Sequence, residues 1–307
     1  MLSEQKSRKI CMRPIFDQDS INAAITLARM SLTEDLRDAG DVTCLATIPP
    51  DLQATVRIVS RESGVVSGLP LIPIVFHELS KDAGSVVSVN HVNDGDRVHR
   101  GTVMASLTGS VRTLLTGERT ILNFMTHLSG IASRTALFVD AVDGTRARIL
   151  DTRKTLPGYR ALQKYAVRCG GGTNHRMGLY DGVLIKDNHL AARGDAACSS
   201  AVADARRYMI ATGRNTSIEI EVDTLEQLRD ALKEKPEIVL LDNMAPDQLR
   251  EAVAVRDQFG PTTLLEASGG VTLQTVRSIA ETGVERISVG GLTHSSPALD
   301  LGFDWPW

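Results

Sequence analysis

Between Arg148 and Val289 the chain repeats one pattern: a short, apolar-rich run, then a longer stretch with helical spacing. The runs are Arg148–Leu150, Val183–Ile185, Ile218–Val222, Ile238–Leu241, Thr263–Ala267 and Arg286–Val289. Strands this short and this apolar need cover on both faces, and the helices between them supply it. Strand–helix–strand units of this kind cross over right-handedly and lay their strands parallel. Most runs end on a polar residue or glycine: Asp151, Lys186, Asp223, Asp242, Ser268 and Gly290. Chemistry-bearing residues at the C-terminal ends of several parallel strands mark the catalytic face of an α/β barrel. Six strands are legible, so the pattern alone does not close the barrel. A further strand is sought within Ala196–Arg207, although that run reads more as helix.

The region before the barrel has another texture. Ser20–Leu36 carries apolar residues at helical spacing. Strand-like runs follow at Ala54–Ser60, Gly64–Ser67, Ser85–Val89 and Val103–Leu107, with turns at Asp94-Gly95-Asp96 and Arg100-Gly101. Val86–Ser110 is similar to the half-barrel of lipoyl and biotinyl domains but has no acceptor lysine at a hairpin tip, so its role is structural. Together these predict an α+β open sandwich. Gly117–Val142 reads as a long helix with a broad apolar face. The expected division is a sandwich domain over residues 1–128, rejoined by the tail 292–307, and a barrel domain over residues 129–291.

Composition excludes several function classes. With 42% hydrophobic and 23% charged residues, the 307-residue chain is ordinary for a soluble globular protein. It has no apolar run long enough to span a membrane. The first twenty residues lack the apolar core of a secretory leader. A net charge of −3 gives no reason to expect nucleic acid. Cys11, Cys44, Cys169 and Cys198 are too scattered for a zinc site and fit a reducing compartment. A cytoplasmic protein is expected. Cys169 is read as a small residue packed beside Gly170-Gly171-Gly172.

Charge is concentrated where the chemistry should be. From Arg146 to Arg193 ten Lys/Arg face three acids, so this segment carries 10 − 3 = +7. A cationic centre in an acidic body focuses a field that traps anions, although solvated faces also concentrate charge. The spacing favours a site: Thr152-Arg153-Lys154 and Lys186-Asp187-Asn188 each follow a strand, and His175-Arg176 follows three glycines. Glu221 and Asp242 end neighbouring strands, as paired carboxylates suited to ribose hydroxyls and to a magnesium ion with oxygen ligands. The alternative is that one of them pairs structurally with a lysine or arginine. Glu219, on the same face as Glu221, is assigned to the interior. Ser268-Gly269-Gly270 and Gly290-Gly291 follow late strands, where backbone N–H groups and a following helix can receive a phosphate.

The segment LDTRKTLPGYRALQKYAVRCGGGTNHRMGLYDGVLIKDNH resembles the signature region of the quinolinate phosphoribosyltransferase family. EIEVDTLEQL, LLDNM, EASGGV and ISVGGLTHSSPALDLG match further pieces of it, and the likeness runs from about Glu34 to the C-terminus. The EDLRDAGDVT stretch near Asp41 is longer than the family's, which touches only a loop. The resemblance implies an incomplete, seven-stranded α/β barrel and transfer of phosphoribosyl to quinolinate with loss of CO2. It implies that Arg153, Arg176 and Lys186 hold the quinolinate carboxylates, with hydrogen bonds from Thr152 and His175. Lys154 is placed at the pyrophosphate, Glu221 and Asp242 at ribose and magnesium, and Ser268, Gly269, Gly270, Gly290 and Gly291 at the 5-phosphate. No organic cofactor is implied. Arg119, in the motif Gly117–Phe124, is implied to reach the partner's site in a homodimer with shared sites, or in a higher homo-oligomer. Arg160 and Arg168 are weaker candidates. From the residues alone, a Schiff-base enzyme built on Lys186, a non-catalytic anion-binding module, or a phosphoribosyltransferase for another aromatic acid also fit.

Overall fold

A computed structural model describes residues 13–79, 85–194 and 197–306. The chain divides into two units, one running to Ala132 and resuming at Ala298, the other Ser133–Pro297. Cys11 and the first twelve residues, where a leader was sought, lie outside the described residues.

In the first unit a helix at Gln18–Leu36 begins where Asp17 accepts a hydrogen bond from the Ser20 N–H (2.9 Å) and buries Ala24, Leu27, Ala28 and Leu32. The strands are β1 (Gln53–Ser60), β2 (Gly64–Val65), β3 (Val87–Asn90), β4 (Arg97–Val98) and β5 (Val103–Ser110). β1, β5 and β3 form an antiparallel sheet whose other edge is the last strand of the chain, Leu301–Asp304, paired with β1. β2 and β4 pair separately. The long helix spans Val111–Ala141 and starts six residues before the expected point, directly from β5, because Val111 and Leu114 are already buried.

The second unit is built on β6 (Arg148–Leu150), β7 (Val183–Ile185), β8 (Ile218–Val222), β9 (Ile238–Asp242), β10 (Leu264–Ser268) and β11 (Arg286–Ser288). These form one parallel sheet in the order β6-β11-β10-β9-β8-β7; the C-terminal strand Leu301–Asp304 is β12. The expected strand within Ala196–Arg207 is instead helix from Cys198 to Thr212, and Ala196 lies outside the described residues. The seventh stave is a single residue on the far side of β6: Thr173 bridges Leu150 in parallel, donating to Ile149 O at 2.8 Å. Such a stave leaves no periodic pattern to read. Beyond it, Arg176 Nη1 donates to Gly182 O (3.0 Å) just before β7. The helix Gly291–His294 stays with this unit, so only the last part of the tail pairs with β1.

One buried charge pair fixes the start of the site. Lys164, on the helix Arg160–Cys169, donates to Asp151 at the end of β6, and neither side chain is exposed. Burial pushes the Lys164 ammonium below its usual range and the Asp151 carboxyl above its own, against the attraction between them. Removing one partner of such a pair leaves the other charge uncompensated, at a cost of about 3–5 kcal/mol. Lys164→Met should therefore lower the unfolding free energy extrapolated from urea titration by that amount, with a lower midpoint, and adding Asp151→Asn should recover most of it. An unchanged midpoint in Lys164→Met would show that the pair contributes nothing.

Candidate active site

At the C-terminal ends of the parallel strands lies a cavity of about 810 Å³. Each strand and the loop after it delivers residues to its wall. Thr152, Arg153 and Lys154 follow β6; Leu184 and Lys186 come from β7, Glu221 from β8, and Leu240, Asp242 and Asn243 from β9. Glu266 and Ser268 to Thr272 come from β10, and Ser288 to Gly291 with His294 from β11. His175 and Arg176 enter from the Thr173 stave. Of the site residues expected from sequence, all but Arg119 line this cavity. Arg119 lies in the other unit, exposed on the helix Val111–Ala141.

The cations of the +7 segment divide by use. Lys164 is consumed by Asp151. Arg160 donates to Thr155 Oγ1 and to Met177 O, and Arg168 to Asn174 Oδ1 (2.6 Å), so both brace loops and are not solvated helix charges. Arg146 pairs with Glu285, and Arg193 with Asp204. Arg153, Lys154, Arg176 and Lys186 remain at the cavity. Among the described residues, no carboxylate lies within the 4.0 Å ion-pair distance of Arg153, Lys154 or Arg176. Nε of Arg153 and of Arg176 is buried without a hydrogen-bond acceptor. Burial, and then the charge of Arg153, depress the Arg176 pKa. Two guanidinium groups held close with donors unused are prepared for an anion.

The carboxylates are arranged differently from one another. Glu221 Oε2 accepts from Lys186 Nζ at 2.7 Å, which meets the alternative of a structural pair at a strand end. Lys186 in turn has its N–H on His189 Nδ1 (2.9 Å), which fixes the backbone where β7 becomes helix. Asp242 accepts from Asn243 Nδ2 at 2.7 Å and has no ion-pair partner among the described residues. Burial, and then the nearby charge of Asp223, raise its pKa. An oxygen donor of this kind suits a magnesium ion that keeps most of its waters and takes one or two carboxylates. Glu221 retains one oxygen for the same purpose.

Beneath these residues lies a deeper polar layer. His175 Nε2 is 3.1 Å from Glu219 Oε2 and 3.4 Å from Glu266 Oε1, and Glu266 Oε2 accepts from Arg286 Nε at 2.6 Å. His175 Nδ1 accepts the Arg176 N–H at 2.7 Å. Burial opposes the imidazolium, but Glu219 and Glu266 outweigh it and push His175 up to about 9. Burial raises Glu219, whereas His175 and Arg286 hold Glu266 below its usual value. The Arg176 N–H can bond Nδ1 only in the neutral ring, whereas the two carboxylates favour the imidazolium. One atom each of His175, Glu219 and Glu266 lies within 4.8 Å of the others, a spacing that a small cation could bridge. Arg286 and the shared protons already balance the charge there.

The glycine loops are shaped for close approach. Gly269 has φ +94°, and a Cβ there would lie 2.1 Å from Asn243 Oδ1. Asn243 itself adopts φ 54°, which asparagine tolerates. The expected helix dipole behind these loops is small. Thr272 and Thr275 bond to each other after Gly270, so the next helix starts only at Val276 and has five residues. The helix Gly291–His294 has four. Backbone N–H groups are the donors here. Sequence reasoning passed over Glu266, Ser288, Asn243 and His294. The first two stand two residues before Ser268 and Gly290, and strand alternation was the available signal.

Comparison with known proteins decides the family. Residues 131–304 match the model of the quinolinate phosphoribosyl transferase C-terminal domain, and residues 41–129 that of the N-terminal domain. The chain belongs to the quinolinate phosphoribosyltransferase family. It is 48% identical over 283 residues to the nicotinate-nucleotide pyrophosphorylase [carboxylating] of Mycobacterium leprae, covering 92% of this chain and 97% of that protein. It is 42% identical over 247 residues to the probable enzyme of that name from Bacillus subtilis, covering 80% and 82%. The solved nicotinate-nucleotide pyrophosphorylase of Francisella tularensis superposes with TM-score 0.83 at 36% identity, covering 92% of this chain and 96% of that one. That of Ehrlichia chaffeensis gives 0.82 at 38%, covering 91% and 97%. No described helix is long and apolar enough to cross a membrane.

Because Gly269 combines positive φ with contact on Asn243, Gly269→Ala should displace the loop or the asparagine. The expected outcome is a KM for the phosphate-bearing substrate raised roughly tenfold, with a fall in Tm of a few degrees, since backbone strain of this kind costs about 1–3 kcal/mol. Steady-state kinetics with calorimetry checks it.

Proposed function

We propose that this cavity joins quinolinate to phosphoribosyl pyrophosphate and releases CO2, pyrophosphate and nicotinate mononucleotide, a step of de novo NAD synthesis. The observation that carries this reading is the pair Arg153 and Arg176, buried at Nε and without carboxylate partners, beside Lys186. Quinolinate carries two carboxylates on adjacent ring carbons, and guanidinium forks match planar carboxylates two bonds at a time. Arg153 and Arg176 hold the ring by its acids, Lys186 adds a point charge, and the Thr152 hydroxyl donates. Thr152 Oγ1 also accepts the Lys154 N–H at 3.0 Å, which shapes this loop.

The other wall takes the sugar. Lys154 stabilises charge growing on the departing pyrophosphate. Glu221 and Asp242 face the ribose, and their charge favours the cationic, oxocarbenium-like carbon that forms as pyrophosphate leaves. Ser268, Gly269, Gly270, Gly290 and Gly291 receive the 5-phosphate. A magnesium ion held by Asp242 and Glu221 supplies charge neutralisation at the pyrophosphate when bound. The clamp holds the pyridine nitrogen close to the sugar carbon, where it attacks. The ring is then a pyridinium, which stabilises the electron pair left at C2 when the adjacent carboxylate departs as CO2. No organic cofactor is needed. Arg119 completes the site of a partner subunit in a homodimer, and the protein works in the cytoplasm.

Incubation with quinolinate, phosphoribosyl pyrophosphate and magnesium should yield CO2 and nicotinate mononucleotide in equal amounts. Neither product, with nicotinate also inert, would overturn the reading. Arg176→Ala should raise the KM for quinolinate roughly tenfold or more, as expected for loss of a charge-assisted bidentate contact, with the donor's KM far less affected. Equal weakening of both substrates would contradict the clamp. For the shared site, Arg119→Ala and Lys186→Ala are mixed under subunit exchange. Partial recovery of activity is expected, and proven hybrids without recovery would count against it.

A further inference from the structure

We propose that Asn243 is a positioning residue for the phosphoribosyl donor: its amide holds the Asp242 carboxylate open toward the cavity and fills the space left by Gly269, so that one side chain sets both the ribose-facing acid and the phosphate loop. This rests on the reading of Asp242 as a ribose and magnesium ligand and of Ser268-Gly269-Gly270 as the 5-phosphate loop.

Asn243 follows β9 directly, and its backbone conformation is an unusual one. Its φ is 54°, in the left-handed region, where residues other than glycine, asparagine and aspartate are strained. Of the three non-glycine residues at positive φ among the described residues, Asn243 alone lines the cavity. Its N–H donates to Ser268 O at 2.9 Å, one step beyond the pairing of Asp242 with Ser268. The ladder between β9 and β10 therefore continues into the turn, and Asn243 is tied to the strand that carries the glycines.

The side chain acts at both of its ends. Nδ2 donates to Asp242 Oδ2 at 2.7 Å. The amide also lies against Gly269, where a Cβ would stand 2.1 Å from Oδ1 and 2.6 Å from Cγ. Glycine at 269 thus makes room for the amide, and the amide in turn supports the glycine turn. Without it the carboxylate has other partners within reach of a rotation. Lys186 and Lys154 both attract Asp242, and neither is at ion-pair distance. Turning onto either lysine would neutralise a cation that the ligands need and would withdraw the acid from the ribose. A hydrogen bond from a neutral amide fixes the acid and leaves its charge intact.

The test measures the KM of both substrates and the half-saturating magnesium concentration in wild type, Asn243→Gly and Asn243→Asp. Asn243→Gly separates backbone from side chain, because glycine accepts the same φ and carries no amide. The proposal predicts a donor KM raised roughly tenfold, as for loss of a hydrogen bond to a charged group, with the quinolinate KM within about twofold. The magnesium requirement should rise alongside. A donor KM as in wild type would show that asparagine serves only the turn, and an equal rise in both KM values would show general damage; either overturns the proposal. A raised donor KM with wild-type magnesium dependence would remove Asp242 from it. Asn243→Asp keeps the size and the φ tolerance but offers Asp242 no donor, so it should weaken the donor at least as much. Wild-type kinetics there would overturn the proposal too, and this variant decides alone if the glycine variant does not fold. A crystal structure of the wild type judges the contact separately: the amide on Asp242 supports the proposal, and an amide turned away overturns it. Wild type that turns over no phosphoribosyl pyrophosphate would sink the functional reading, and the crystal contact would still decide whether Asn243 holds Asp242.

Discussion

A carboxylate and an ammonium with no exposure, Asp151 and Lys164, anchor the loop on which the site depends. Burial of two charges is unfavourable unless every remaining lone pair and proton finds a partner. Here they do. Asp151 accepts from Lys164, from the His175 N–H and from Asn174 Nδ2, and Lys164 also donates to His175 O. The same Asn174 Nδ2 also donates to Lys164 O, and Arg168 holds the amide from its other end, at Oδ1. The run of glycines before this loop serves geometry: Gly171 has φ +85°, and a Cβ on Gly172 would press within 2.8 Å of Thr135 and Val167. A stretch that reads as loose backbone is thereby a rigid stave.

Rigidity is what allows unpaired cations to persist. Arg153 and Arg176 repel each other, and a mobile loop would let them separate or find acids. Tied at His175 and at Gly182, Arg176 cannot do so. Lys154 is held through its backbone, whose carbonyl accepts from Thr293 Oγ1 at 2.7 Å. The field in the cavity comes from these few fixed groups; the segment's formal +7 overstates it. Most of the other cations are spent on structure, and Lys186 is half-neutralised by Glu221.

Much of this was legible in the sequence, for physical reasons. All six strands of the sheet were placed because they are largely buried, and burial leaves short runs rich in apolar residues. The polar strand ends were legible because each follows such a run. The Thr173 stave was not, since one bridged residue has no period. The fate of individual charges was not legible either. Lys164 and Lys154 look alike in a list of cations, yet one is fully buried and the other lines the cavity. Only packing of the helix Arg160–Cys169 against β6 and its loop separates them. His175 lines the cavity, but it also faces Glu219 and Glu266, far along the chain, and spacing says nothing of that.

Depth along a strand explains why one residue type serves two ends. On β8, Glu219 and Glu221 share a face, and the side chain of the deeper one is 5% exposed while that of the upper one is 11%. The deeper carboxylate is held above its usual pKa by burial and answers to His175, so it serves as a fixed acceptor. The upper one meets a lysine that is itself 44% exposed, where water can replace either partner when a ligand arrives. An ion pair of that kind contributes little net stability. It can therefore open toward substrates at small cost, whereas the Glu266–Arg286 pair beneath, with its carboxylate fully buried, cannot. Position two residues deeper turns an acid from part of the cavity wall into part of the buried frame beneath it.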